Sequence, residues 1–173
     1  HYGMGDRRKG LHLVVEAMET PAADPRMLLL CAGQISDDRQ LLDKLAGLEK
    51  AGAAKLMNRY VSEEEERLCF CSADAVLLPY IDHYGSSGVL SRAAAAGKAA
   101  IVSDEGLLAR RVRDHGLGLL FPTNNVRELR QRMNDVPDME TALRRRYRNA
   151  SLKYAESCSR EAFREALTSP WRT

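Results

Sequence analysis

Short aliphatic runs alternate along the chain with longer stretches of helical periodicity. Leu11, Val14, Val15 and Met18 share one face at a 3.6-residue period and predict an amphipathic helix from Leu11 to Met18. Arg26 to Ala32 reads as a buried strand ending at Gly33, after which Asp37 and Asp38 offer N-cap oxygens to a helix that runs to Lys50 and closes at Gly52. Lys55 to Val61 reads as a second strand. Ser62 then caps a helix whose first residues, Glu63, Glu64, Glu65 and Glu66, suit the positive end of the helix dipole and read as a solvated turn. Ala75 to Leu78 is a third strand. A loop rich in Gly and Ser leads into a helix from Ser87 to Ala96, whose alanines at 93 to 96 let it lie close to a sheet, with Gly97 as the stop. Ala99 to Val102 is a fourth strand, Asp104 caps a helix that ends at His115 and Gly116, and Leu117 to Phe121 is a fifth strand closed by Pro122. From Asn125 the pattern is helical almost to Trp171, with a break at Pro137.

Strands separated by helices of about 10 to 15 residues imply βαβ units and a parallel sheet. The expected fold is therefore a doubly wound, Rossmann-like α/β sandwich with helices on both faces. A length of 173 residues suits one such domain and a tail, divided here as 1–136 and 137–173. The start at His1 falls mid-element and lacks a signal-peptide pattern, so the chain is expected to be part of a longer protein, with its first strand truncated.

Composition narrows the classes. Apolar residues make up 45% and charged residues 29%, which argues against a disordered or low-complexity chain. The longest aliphatic runs fall far short of the roughly 20 residues that a bilayer span needs. A net charge of +2 gives no global electrostatic reason to expect nucleic-acid binding. Arg144, Arg145, Arg146, Arg148 and Lys153 crowd the C-terminal segment and read as a solvated helix face in preference to a patch for an anionic partner. Cys31, Cys69, Cys71 and Cys158 have neither CxxC spacing nor disulfide-scaffold density, and the reading is of reduced, cytoplasmic thiols. Cys69 and Cys71 stand two apart on a helix, face different ways and do not suit a shared metal.

In doubly wound sheets ligands bind beyond the carboxyl ends of the strands, where loops and helix N-termini converge. Two loops carry suitable chemistry. The first, from Gly3 to Gly10, sets Arg7, Arg8 and Lys9 just ahead of a helix; anion capture and a solvated basic turn are equally supported by local features. The second runs through Asp82, His83, Tyr84, Gly85, Ser86, Ser87 and Gly88 into the alanine-rich helix, where free N–H groups and close backbone approach favour phosphate. Neither matches a Walker A or a GxGxxG fingerprint.

The order of features is more specific than either loop. Arg8, Lys9 and Gly10 open a helix; Tyr60, Val61 and Ser62 precede an acidic helix start; Ser72 to Ala75 leads to a strand and Pro79; a loop and helix run from Gly85 to Gly97; Val102, Ser103 and Asp104 precede Gly106; and Gly116, Gly118, Leu119 and Leu120 precede Pro122. From Gly3 to Met133 this series resembles the C-terminal, donor-binding domain of GT-B glycosyltransferases, specifically the large retaining family 4. The resemblance implies a nucleoside-diphosphate sugar as donor, held here, and an acceptor held by an N-terminal domain that this sequence lacks. It implies that Lys9, with Arg8 beside it, contacts the donor phosphates, and that the backbone at Gly85, Ser86, Ser87 and Gly88 contacts the same diphosphate. Tyr60 and Val61 match the segment bordering the base, while His83 and Tyr84 fall where the sugar would lie. No metal or other cofactor is implied, because cationic side chains and a helix dipole neutralise the leaving diphosphate in this fold. Membrane contact is expected only through the missing half.

The departures are equally informative. The family's paired glutamates, eight positions apart, fall on Tyr84 and Arg92, and its Gly-Gly-x-x-Glu stretch appears as Gly106, Leu107, Leu108, Ala109 and Arg110. The second glutamate accepts from ribose hydroxyls, whereas an arginine only donates, so Arg92 is read either as a group aimed at phosphate or a ribose oxygen or as a solvent-facing residue. The family's upstream arginine is replaced near Gly3 or Met4, with Arg7 or Arg8 as a substitute. Three functions follow: retaining glycosyl transfer, a degenerate transferase kept as a binding or scaffold subunit, and a nucleotide-sugar 2-epimerase relative, which no motif here favours.

Overall fold

In the computed structural model, residues 1–3, 7–35 and 38–168 are described. Met4, Gly5, Asp6, Asp37 and Trp171, on which parts of the sequence reading rest, lie outside them. A 3-10 turn at Arg7–Lys9 leads into α1 (Leu11–Glu19), β1 (Leu29–Ala32), α2 (Arg39–Lys50), β2 (Ala54–Met57), α3 (Glu63–Ser72) and β3 (Ala75–Leu78). Then follow α4 (Gly88–Ala95), β4 (Ala99–Ser103), α5 (Gly106–His115), β5 (Gly118–Phe121), α6 (Val126–Asn134), α7 (Thr141–Ser157) and α8 (Arg160–Thr168). All strand pairing is parallel, as βαβ connection requires: β1 pairs with β2, and β3, β4 and β5 form a second sheet in that order. β1 and β3 are not paired with each other, and the parallel strands flanked by helices are those the pattern predicts.

Alternate residues of the strands serve two separate cores, because successive side chains point to opposite faces. Leu77 and Ile101, with Leu29 and Cys31 of β1, join α1, α2 and α6 in one cluster. Val76, Leu78, Ala100 and Val102 join Phe70 of α3, the buried residues of α4 and α5, and Tyr154 of α7 in the other. β5 approaches β4 so closely that a Cβ on Gly118 would stand 1.9 Å from the Ala100 carbonyl oxygen, so only glycine fits there. α4 buries Ala93 and Ala94 and packs against α7 as well as β4. Ser151 of α7 donates to the Lys98 carbonyl at 3.1 Å.

Several boundaries differ from the sequence reading, each for a local reason. The expected strand from Arg26 pairs only from Leu29, because Arg26 is held in a loop by Asp24 and Asp138 at 2.6 and 2.7 Å. The strand expected to reach Val61 stops at Met57; the Asn58 side chain accepts the Ile35 amide, and Arg59 turns to Glu65. Asp104 is not a helix cap. Its amide donates to the Phe121 carbonyl and its carboxylate accepts from Thr123, so it joins the ends of β4 and β5, and Glu105 takes the cap position without a side-chain bond. The C-terminal helical run breaks a second time at Cys158 and Ser159, where the Ser159 hydroxyl accepts the Ala162 amide and starts α8. Of the crowded arginines, Arg144 is structural: it donates to the Val136, Pro137 and Met139 carbonyls of the turn ahead of α7.

Candidate functional site

The loop after β3 is fixed from two sides. On one, the Arg8 carbonyl accepts the Ile81 amide at 2.9 Å, and Gly10 lies directly on Pro79. Gly10 has φ +69°, and a Cβ there would stand 1.9 Å from the Pro79 oxygen, so the start of α1 can meet this loop only through glycine. On the other side, Gly106 at the start of α5 packs against the His83 carbonyl. The N-termini of α1, α4 and α5 thus converge on one loop, and their dipoles make the region favourable to anions.

Tyr80 connects the two predicted phosphate-binding elements. Its side chain is buried, and its hydroxyl accepts a hydrogen bond from Lys9 Nζ at 3.1 Å. The same hydroxyl lies 3.4 Å from Ser87 Oγ, and the Lys9 ammonium stands 4.5 Å from the Tyr80 ring centroid. Ser87 is buried and caps α4 by accepting the Val89 amide at 3.2 Å, while Gly85, Ser86 and Gly88 are exposed. Lys9 and the first turn of α4 are therefore organised about one phenol. Sequence alone does not mark Tyr80, since a buried aromatic beside a proline at a strand end reads as core.

His83 packs its ring edge-on to Tyr80, with centroids 4.9 Å apart, and its buried Nε2 has no protein partner. Burial, and then the nearby charges of Lys9 and Arg8, lower its pKa below the ordinary value of 6.5, so the imidazole is neutral at neutral pH. Ser103, at the end of β4, likewise buries a hydroxyl without a protein partner. Tyr84 is 83% exposed. Tyr60, 86% exposed, and Val61, buried, stand on a separate loop between β2 and α3.

Arg92 is exposed and is held at the surface by an ion pair. Its Nε donates to Glu66 Oε1 at 2.6 Å, and the other oxygen of Glu66 accepts from the Tyr2 hydroxyl. The end of its guanidinium lies alongside Gly88, where a Cβ would meet Nη1 at 3.0 Å. Glu66 of α3 thus sets a carboxylate beside the first turn of α4. Within a run of four glutamates only the packing of α3 near α4 distinguishes Glu66, so no sequence signal marks it. Glu65, one residue earlier, completes a capping box with Ser62 and pairs with Arg59. No group of three or more His, Cys, Asp or Glu among the described residues could hold a metal ion. No helix among them is long and apolar enough to cross a membrane.

The family model for glycosyl transferases group 1 matches residues 1–154. The chain belongs to that family. No curated protein matches the sequence. Among solved structures, the α,α-trehalose-phosphate synthase (UDP-forming) of Burkholderia vietnamiensis superposes with a TM-score of 0.73 at 16% identity, covering 99% of this chain and 45% of that one. Anabaena HepE, solved in complex with UDP, gives 0.72 at 17% identity over 97% of this chain and 48% of its own. WaaG, a glycosyltransferase involved in lipopolysaccharide biosynthesis, gives 0.69 at 18% identity over 91% and 43%. At these identities the likeness establishes the fold, that of the C-terminal domain of GT-B glycosyltransferases. This group 1 domain spans less than half the length of each of those structures.

Proposed function

We propose that this chain is the donor-binding half of a retaining glycosyltransferase of the family 4 type, which takes a sugar from a nucleoside diphosphate and passes it to an acceptor held by an N-terminal domain. The observation that carries the reading is the Lys9–Tyr80–Ser87 chain at the convergence of three helix N-termini. When the bond between the anomeric carbon and the diphosphate oxygen breaks, the electron pair leaves with the diphosphate, and stabilising that charge lowers the barrier. The Lys9 ammonium, with Arg8 beside it, and the amides of Gly85 to Gly88 supply the positive potential without a metal ion. Neutral His83 serves as a hydrogen-bond donor to the sugar or the phosphate beside Tyr84. Tyr60 and Val61 border the base. HepE, a neighbour in fold, binds UDP, which supports a uridine diphosphate as the first ligand to try. Both domains are needed to form the cleft, so the domain alone binds a diphosphate and transfers nothing.

Calorimetric titration with UDP, GDP and ADP tests this. Saturable binding by one of them, weakened about tenfold or more in Lys9→Ala, is the expected result. A second reading, a transferase-like domain retained as a scaffold, is favoured by one observation: Arg92, where the resemblance implies a ribose-accepting glutamate, is engaged by Glu66. No heat with any diphosphate, together with an intact fold, would establish that reading instead.

A further inference from the structure

A second concavity, of about 350 Å³, lies at the entry ends of β3 and β4, opposite to the strand tips that lead to Tyr80 and Ser87. It is set between Asp74 and Lys98, which precede those strands, and the first turns of α7. A strand rises by roughly 3.3 Å per residue, so the four residues of β3 hold it ~13 Å from the loop around Tyr80.

Four cations, Lys98, Arg144, Arg145 and Arg148, stand in its wall against one carboxylate, that of Asp74. Two of them are fixed by partners that leave their charge in place. Lys98 Nζ donates to the Cys71 carbonyl at 2.7 Å, and Arg144 donates to the carbonyls of Val136, Pro137 and Met139. A carbonyl orients a cation but brings no net charge to neutralise it. Asp74 is 79% exposed and approaches Arg144 only to 3.7 Å. The stem of Arg148 is placed by Gly97, which has φ +66° and where a Cβ would meet Arg148 Cγ at 3.0 Å. Among the described residues, Arg145 and Arg148 make no hydrogen bond or ion pair, although they stand three apart on α7, where like charges repel. Arg26, Arg59 and Arg92, by contrast, each meet a carboxylate at 2.6 Å. The start of α7 adds to the potential. Thr141 lines the concavity, and Glu140 holds the cap position without a side-chain bond, so the positive end of a 17-residue helix faces the same region.

We propose that this concavity binds a phosphate monoester, with Arg145 and Arg148 closing on the phosphate beside the fixed charges of Lys98 and Arg144. A monoester carries a charge of about −1.5 to −2 and three acceptor oxygens, enough for two guanidinium forks, whereas a carboxylate has two oxygens and satisfies one. The volume is near the lower end of ordinary ligand pockets and suits a small phosphorylated molecule or a single lipid headgroup. Tyr147 and Met139 offer its body an apolar surface. Arg146 and Lys153, exposed cations of the same helix, do not line the concavity and keep the solvated-face reading of the sequence. The site uses neither Lys9 nor Ser87 and stands whether or not the donor reading does.

Calorimetric titration of the chain of residues 1–173 with glycerol 3-phosphate tests it, with glycerol as the uncharged control. Saturable binding is expected, weakened about tenfold or more in Arg145→Ala/Arg148→Ala. It should stay within about twofold in Arg146→Ala/Lys153→Ala, which removes the same charge outside the concavity, and in Lys9→Ala, which separates this site from the diphosphate site. Both double variants change exposed side chains, so an unaltered urea midpoint will show that the fold is retained. Vesicles of phosphatidylcholine with phosphatidic acid present the same group as a lipid. Capture by those vesicles that is lost in Arg145→Ala/Arg148→Ala, with no heat from glycerol 3-phosphate, would assign the monoester to a membrane lipid. Equal losses in the two double variants would overturn the proposal by reducing the site to a diffuse positive surface. A loss confined to Lys9→Ala, or no binding of either probe, would overturn it too.

Discussion

Tyr80 shows how one side chain can connect two elements that the chain keeps far apart. Its ring packs in the core while its hydroxyl joins Lys9 to Ser87, so Tyr80→Phe should preserve the packing and remove the relay. Diphosphate affinity is expected to fall by about fivefold to tenfold in calorimetry, the worth of one hydrogen bond to a charged group, with little change in the urea midpoint. An equal loss of stability and affinity would make Tyr80 a core residue only. Gly10 and Gly47 give the opposite pair of outcomes. Gly10→Ala forces a side chain into positive φ, at about 1–2 kcal/mol, and onto the Pro79 carbonyl as well, so a larger destabilisation is expected. Gly47 lies exposed within α2 with open space where a Cβ would stand, and Gly47→Ala should stabilise by about 0.5–1 kcal/mol in the same urea titration. The helix starts beside Lys9 and at Ser87 were legible from sequence, through the glycine at position 10 and the serine that caps α4. Tyr80 and Glu66 were not, because their neighbours come from other elements.

At the scale of elements, the sequence pattern located all five strands and the helices between them, and it missed chiefly where side chains compete with the backbone for hydrogen bonds. Asn58 ended β2 early by bonding across to Ile35, and Asp104 joined two strands in place of capping a helix. Periodicity carries no information about either competition, since both depend on residues brought near by the fold. The cap on α3 was legible, because Ser62 and Glu65 stand three apart at the helix start and meet as a reciprocal pair. Ser62→Ala should cost about 1 kcal/mol in urea unfolding, typical of a lost N-cap. Hydrogen bonds from Arg59 and from the Ser62 amide hold the Glu65 carboxyl at about 2, below its ordinary 4.5. The contribution of that ionised carboxylate to stability is therefore present above pH 4.5 and lost only as the pH falls toward 2.

Across the whole molecule, two histidines far apart in sequence share one property that gives the fold an acid sensitivity above the carboxylate range. Burial comes first among the causes that lower the pKa values of His12 and His83 from 6.5. Neighbouring cations add to it, Arg7 beside His12 and Lys9 with Arg8 beside His83. As pH falls below those ordinary values the unfolded chain takes up protons that the folded chain still refuses, so the unfolded state gains and stability declines. The decline sets in as the pH falls through 6.5, the ordinary value of the two histidines. The thermal midpoint should therefore drop steadily from about pH 7 to about pH 5.5, before most carboxylates titrate. His12→Gln should flatten the part below 6.5, because an amide there stays neutral at every pH in the range. A midpoint that rises on acidification would mean that these histidines gain protons on folding, and that the imidazoles of His12 and His83 have anionic partners in place of apolar and cationic surroundings.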